Sequence, residues 1–192
     1  KGMILWHSTG SGKTCSAIAT ASNEFEKQGY TILWVTRTTL KNDIWKNMFD
    51  MVCNEVLRSK IDNEGLIIPS KQPKRMKLLS DSWRIRPMSY KQFSNLVSKK
   101  NNNYERLIKI NGEHDPLKKT LIIVDEAHNL KNNDSIRGKI MVDLCVKFNI
   151  PKVWLLTGTP VANRPMDFFN LLKIIKSPIA NNWKHYAVRY CE

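Results

Sequence analysis

Apolar positions along the chain follow two periods that alternate. Short unbroken apolar runs, rich in β-branched residues, occur at Met3–Trp6, Thr31–Val35, Thr120–Val124 and Lys152–Leu156. Each reads as a strand buried on both faces. Stretches with helical spacing lie between them. One runs from about Lys13 to Gln28 and stops at Gly29, a suitable glycine C-cap. A long helix is predicted from Leu40 to Arg58, with Ile44, Met48, Met51, Val52 and Val56 near one stripe. A third strand is expected at Trp83–Met88, then a helix over Tyr90–Val97. Later helices carry Ile140, Val142, Leu144 and Val146, and then Phe168, Leu171, Leu172 and Ile175. This alternation predicts an α/β domain around a mainly parallel sheet. Residues 59–82 are polar, with Pro69, Pro73 and several lysines, and read as a loop or insertion. Lys99–Asn103 and Asn111–Asp115 read as mobile connections, and no internal repeat is visible.

The first strand leads into His7-Ser8-Thr9-Gly10-Ser11-Gly12-Lys13-Thr14. Strand, glycine loop, Lys-Thr and helix make a phosphate-binding loop. Glycines let successive N–H groups turn toward anionic oxygens, and the helix N-terminus adds partial positive charge. Ser8, Thr9, Gly10, Ser11 and Gly12 are the cradle. Lys13 can neutralise the outer phosphates of ATP, and Thr14 can ligate Mg²⁺. The position six before Lys13 is His7, where the strict pattern has glycine.

A second signal closes the strand at Thr120–Val124, where Asp125-Glu126-Ala127-His128 follow. Ligands of parallel sheets bind at carboxyl ends of strands. Asp125 can hold Mg²⁺, which prefers oxygen ligands and keeps its water. Glu126 can polarise the water that attacks the terminal phosphate. The bland alternative is an acidic helix start stabilised by its dipole, and the phosphate loop upstream favours the chemical reading. A third signal, Thr157-Gly158-Thr159-Pro160, ends the strand at Lys152–Leu156 and can bridge the acidic pair to a moving element.

Charge adds a partner to this picture. There are 31 Lys and Arg against 17 Asp and Glu, a net +14. That excess suggests a polyanion, most simply nucleic acid, although 22 Lys and 18 Asn also fit an AT-rich coding bias. Cys15, Cys53, Cys145 and Cys191 are far apart, without metal-site spacing. All four are expected to be reduced, which implies an intracellular compartment, cytoplasm or nucleus. No run approaches the roughly 20 apolar residues that span a bilayer, and no signal peptide is visible. The abrupt ends suggest a piece of something longer.

These signals in this order resemble superfamily 2 helicases and translocases. HSTGSGKT is similar to their motif I, Asp125–His128 to motif II and Thr157–Pro160 to motif III. Asn129-Leu130-Lys131-Asn132 is similar to the extension found in the Swi/Snf-type branch. Gly158–Asn163 followed by Phe168–Leu172 resembles the GTP-x-x-N…L motif of that branch. Thr36-Arg37-Thr38-Thr39-Leu40 resembles motif Ia, and Met88-Ser89-Tyr90 the Ser-Tyr segment beyond it. Arg164-Pro165 and Arg189-Tyr190-Cys191 are similar to annealing-helicase members. The loop wording is similar to DEAH helicases of large DNA viruses, in which case a virion location would also fit. The resemblance implies a RecA-like phosphate-loop NTPase sandwich of three layers, with the motif III strand between the phosphate-loop and DEAH strands. It implies ATP and Mg²⁺ as ligands, DNA, duplex before single-stranded, as partner with RNA left open, and a second lobe bearing the arginine fingers. An upstream glutamine segment is expected to be missing, and so is that lobe. It implies that His128, with Thr157 and Thr159, couples the acidic site to motif III.

The same resemblance makes Thr36, Arg37, Ser89, Tyr90, Lys131 and Asn132 candidate contacts to a nucleic-acid backbone, which gives affinity without reading sequence. Each has a plainer reading as a helix start or, for Tyr90, as core. Trp6, Trp34 and Trp154 are expected in the core. The leading reading is the ATP-binding lobe of a DNA translocase or helicase. The alternatives are a phosphate-loop ATPase that is no motor, or a binding module without turnover. Motif III, Arg37 and the charge argue against the first, and intact Lys13, Thr14, Asp125 and Glu126 against the second.

Overall fold

The computed structural model describes residues 10–41, 44, 47, 52–71, 73–75, 85–100, 102–112, 114–132, 135–147, 150–158 and 164–191. The expected strand Met3–Trp6 lies outside them, as do Ser8, Thr9, Thr159 and Pro160.

Among the described residues four strands form one parallel sheet: β1 (Thr31–Thr36), β2 (Ile85–Ser89), β3 (Thr120–Asp125) and β4 (Lys152–Leu156). Their order is β2-β1-β3-β4. β1 and β3 are wholly buried, as their unbroken apolar runs require. Register pairs Ile32 with Leu121 and Val35 with Val124. The chain leaves β1 toward one edge and returns through β3 toward the other, so the strand order reverses between β1 and β3. A crevice outside the carboxyl ends at such a reversal is where ligands bind in open α/β sheets.

Alternation along the strands feeds two apolar layers. Ile32, Trp34, Leu121 and Ile123 face Ile18 and Ala21 of α1 (Lys13–Ala21) and Leu57 of α2 (Glu55–Glu64). Leu33, Val35, Ile122 and Val124 face the other side. There they meet α3 (Tyr90–Val97), α4 (Asn102–Asn111), α5 (Ile136–Lys147) and α6 (Met166–Ile174). Burying one such aliphatic side chain contributes about 1.5–3 kcal/mol, so these layers hold the sheet. A last helix, α7 (Trp183–Tyr190), packs Tyr186 on Phe169 of α6. No described helix is long and apolar enough to cross a membrane.

Several expectations need correction. The long helix from Leu40 to Arg58 is not continuous. Val52 has φ 47, and Asn54 is extended and caps a new helix by accepting from Leu57 N at 2.9 Å. Asn54 Nδ2 also donates to buried Glu26 at 2.9 Å, which anchors the break. The segment from residue 59 begins as the second half of α2, closed by Gly65 at φ 65. α4 takes in Asn102 and Asn103 of the first expected mobile connection and Asn111 of the second, with Leu107 buried. In α5 the buried face is Gly138, Met141 and Cys145, while Val146 is 45% exposed. Ile175 is likewise exposed, and β4 is only half-buried because it stands at the edge of the described sheet. The cysteines are not all reduced. α1 packs beside the approach to α2, bringing Cys15 and Cys53 to a Cα separation of 5.2 Å in a disulfide, with Cys145 and Cys191 free.

Candidate nucleotide site and the facing groove

The phosphate loop reaches its helix through two left-handed glycines, Gly10 at φ 79 and Gly12 at φ 87. A Cβ at either position would meet open space, so conformation rather than crowding is the reason for glycine. Gly12 is the N-cap of α1, and among the described residues no side chain caps that end, so the helix start can offer N–H groups to an anion. Ser16 N donates to Gly12 O at 2.9 Å, starting the helix with Lys13 and Thr14 in its first turn.

β3 carries the acidic pair to the same end of the sheet. Asp125 is buried, and Glu126 follows in the left-handed region at φ 54, ψ 46. Burial, and then the like charge of Glu126, push the Asp125 carboxyl above its ordinary range. The Glu126 N–H, 3.0 Å from Asp125 Oδ1, opposes that rise, as do Trp34 and the Lys13 ammonium. The buried Trp34 indole N–H completes no hydrogen bond of ordinary geometry, but it lies toward this carboxylate and favours its charged form. Lys13, far from Asp125 in the chain, is thus near enough to act weakly on its charge. Thr14 Oγ1 and the Asp125 carboxylate are oxygen donors of the kind that Mg²⁺ takes together with phosphate oxygens. Among the described residues there is no cluster of three or more His, Cys, Asp or Glu that could hold a metal by itself.

His128 stands between motifs II and III. Its Nδ1 is 3.1 Å from Glu126 Oε2 and 3.3 Å from Thr157 Oγ1. Thr159, the other expected coupling residue, lies outside the described residues.

The carboxyl ends of β1 and β2 open onto a groove of about 690 Å³. Arg37, Thr38, Thr39, Ser89, Tyr90, Lys91, Ser94 and Asn95 line it over Phe93, Ile140 and Met141. It is separate from the nucleotide side: Lys13, Asp125 and Glu126 do not line it. Arg37, Ser89 and Tyr90 come together here. Ser89 is also the N-cap of α3, in a capping box with Gln92 (3.2 Å and 2.8 Å). Tyr90 packs partly against the core. Thr36 also lines the groove, at its floor, where its place as the last residue of a central strand leaves it buried. Lys131 and Asn132 do not line the groove, and Lys131 pairs with Asp167 at 3.5 Å. Trp34 and Asn129 were missed as site residues. Strand alternation places Trp34 on the face of Asp125, a signal open to reading, whereas the role of Asn129 depends on a partner 92 positions away.

Residues 1–190 match the model of the SNF2-related domain. A SWI/SNF-related matrix-associated actin-dependent regulator of chromatin subfamily A-like protein 1 homolog of Caenorhabditis elegans is 37% identical over 47% of this chain and 13% of its own. A putative helicase, 087L, of invertebrate iridescent virus 3 is 30% identical over 93% of this chain and 19% of its own. The DNA annealing helicase and endonuclease ZRANB3 of Mus musculus is 35% identical over 37% of this chain and 6% of its own. The chain thus spans less than a fifth of each of these relatives.

Proposed function

This chain belongs to the SNF2-related domain family, and on that premise we propose that it is the ATP-binding lobe of a DNA translocase or helicase, in which ATP hydrolysis drives movement on DNA. The observation that carries the reading is a glycine loop with two left-handed glycines opening α1, which packs on the face of the sheet whose strand β3 leads into Asp125 and Glu126.

In this reading the loop N–H groups from Gly10 to Lys13 and the Lys13 ammonium hold the outer phosphates. Thr14 and Asp125 hold Mg²⁺, which when bound spreads the charge of the transferring phosphoryl group. Glu126 orients and polarises the attacking water. His128, through Thr157, links the state of the site to motif III. Arg37, Ser89 and Tyr90 offer a cation and polar groups to a backbone phosphate, and Lys131 and Asn132 extend that surface after release from local partners. The net charge of +14 supports a polyanion. A DNA partner, rather than the state of the cysteines, supports an intracellular place for the working protein, and a second lobe supplies the arginine fingers. Such a finger contributes roughly 10³–10⁵ in turnover, so this lobe by itself binds ATP–Mg²⁺ weakly and hydrolyses it poorly.

The test is ATP hydrolysis by the natural full-length protein with and without duplex DNA. A motor is stimulated many-fold, and a phosphate-loop ATPase of another class is not. Single-stranded DNA and RNA as competitors separate the nucleic-acid preferences.

A further inference from the structure

We propose that Asn129 is a positioning residue that links a nucleic-acid phosphate at Arg37 to the carboxylate of Glu126. The inference rests on the reading of the chain as a DNA-stimulated ATPase lobe, and names the route by which stimulation reaches the nucleotide.

β1 and β3 run parallel with Val35 opposite Val124, so Arg37 and Glu126 each lie two residues past equivalent points. They flank the crevice where the strand order reverses. Asn129 spans that crevice. Its Oδ1 accepts from the Arg37 guanidinium. Its Nδ2 donates to the Glu126 carbonyl at 2.7 Å, and its backbone N–H donates to the same oxygen at 3.1 Å. The amide also lies 3.4 Å from His128 Nε2. One side chain thus touches the candidate DNA contact, the peptide of the candidate catalytic carboxylate and the imidazole beside it.

The arrangement holds Glu126 in a costly state. A left-handed conformation is rare for residues other than glycine and persists only where neighbours enforce it. Two hydrogen bonds from Asn129 to its carbonyl do so here. Meanwhile Oε2 is engaged by His128 Nδ1 at 3.1 Å. A guanidinium bonds a phosphate more strongly than a neutral amide oxygen. A backbone phosphate entering the groove therefore draws Arg37 away from Asn129. The freed amide turns, the Glu126 peptide relaxes, and the carboxylate leaves His128 for the water beside the nucleotide.

Coupling of this kind is reciprocal, so Asn129 also sets DNA affinity without nucleotide. The experiment measures anisotropy of fluorescein-labelled duplex DNA with the nucleotide-free full-length protein, alongside its ATP turnover. Asn129→Ala is expected to bind DNA about tenfold tighter, because Arg37 loses its competing partner, whereas Asn129→Asp is expected to bind about tenfold weaker, the weight of one charged hydrogen bond. In turnover, Asn129→Ala is expected to raise the basal rate, with the fold-stimulation by DNA reduced about tenfold and KM for ATP unchanged. Unchanged DNA affinity in both variants, or unchanged fold-stimulation in Asn129→Ala, overturns the relay alone. An unsubstituted protein that DNA does not stimulate overturns the parent reading and the relay together. If Asn129→Ala fails to fold, the near-isosteric Asn129→Asp decides by its DNA affinity.

Discussion

His128 Nδ1 lies 3.3 Å from the hydroxyl of Thr157, so a residue three past the end of β3 touches one just past the end of β4. The contact joins the element that carries Glu126 to the element that carries motif III. Thr157→Val keeps the shape and removes the hydroxyl. DNA-stimulated kcat is expected to fall about fivefold, near the net contribution of a single hydrogen bond, with ATP affinity retained. Steady-state kcat and KM with and without DNA check this.

Lys13 and Glu126 are expected to separate binding from chemistry. Lys13→Ala removes the main partner of the phosphate charge, and affinity for a non-hydrolysable ATP analogue should fall more than about tenfold, as loss of a charged contact implies. Glu126→Gln leaves the loop intact. It should bind the analogue as before while turnover falls by about 10²–10⁴, the usual weight of a general base. Calorimetry of analogue binding beside turnover resolves the two.

Asp125 opposes the fold that displays it. Its folded pKa is raised above the ordinary 3.8 by burial and by Glu126. As pH rises, the unfolded chain gives up this proton first, so stability declines from the ordinary carboxylate range up to the raised value and is flat above it. Asp125→Asn is expected to raise the melting temperature of the nucleotide-free protein at pH 7 and to flatten that acidic slope. The same change should abolish Mg²⁺-dependent ATP binding, a trade of function for stability. Thermal scans between pH 4 and 8 test it.

Gly138 is tight for a steric reason. A Cβ there would lie 2.5 Å from the Asn132 carbonyl, 3.0 Å from Ser135 Oγ and 3.2 Å from Asn170 Nδ2. The first is backbone and cannot swing aside. Gly138→Ala should destabilise by about 1–3 kcal/mol despite the better helix propensity of alanine. At about 2–4 °C per kcal/mol for a chain of this size, the loss is readable in a melting scan.

The disulfide between Cys15 and Cys53 spans 38 positions. Loop-entropy reasoning assigns such a closure up to about 4 kcal/mol. Protein unfolded without reductant should show two reactive thiols, Cys145 and Cys191, and four after reduction, with a lower denaturation midpoint in the reduced form. Four thiols before reduction would show that the bond does not form in solution.

Local signals were read most faithfully where sequence-near forces decide. β1, β3 and α3 lie where the apolar runs and the helical spacing predict them, because a buried strand must be apolar and an amphipathic helix must turn its apolar face to the core. Errors arose where a distant partner decides. Glu26 draws Asn54 into a cap and breaks the expected Leu40–Arg58 helix. The face of α5 that meets α6 was likewise set by the neighbour, through Gly138 and Asn170.

By itself the sequence determined the chemistry on offer: a glycine loop with Lys13 and Thr14, an acidic pair after an apolar strand, and hydroxyls after another. Residue type and nearest-neighbour spacing suffice for that. Only tertiary structure decided which groups meet. Packing of parallel strands in register set Arg37 beside Asn129 and His128 beside Thr157, and set Thr36 at the buried floor of the groove. Those contacts join residues that are remote in the chain, and their geometry comes from how the sheet and its helices bury apolar surface, which no local pattern encodes.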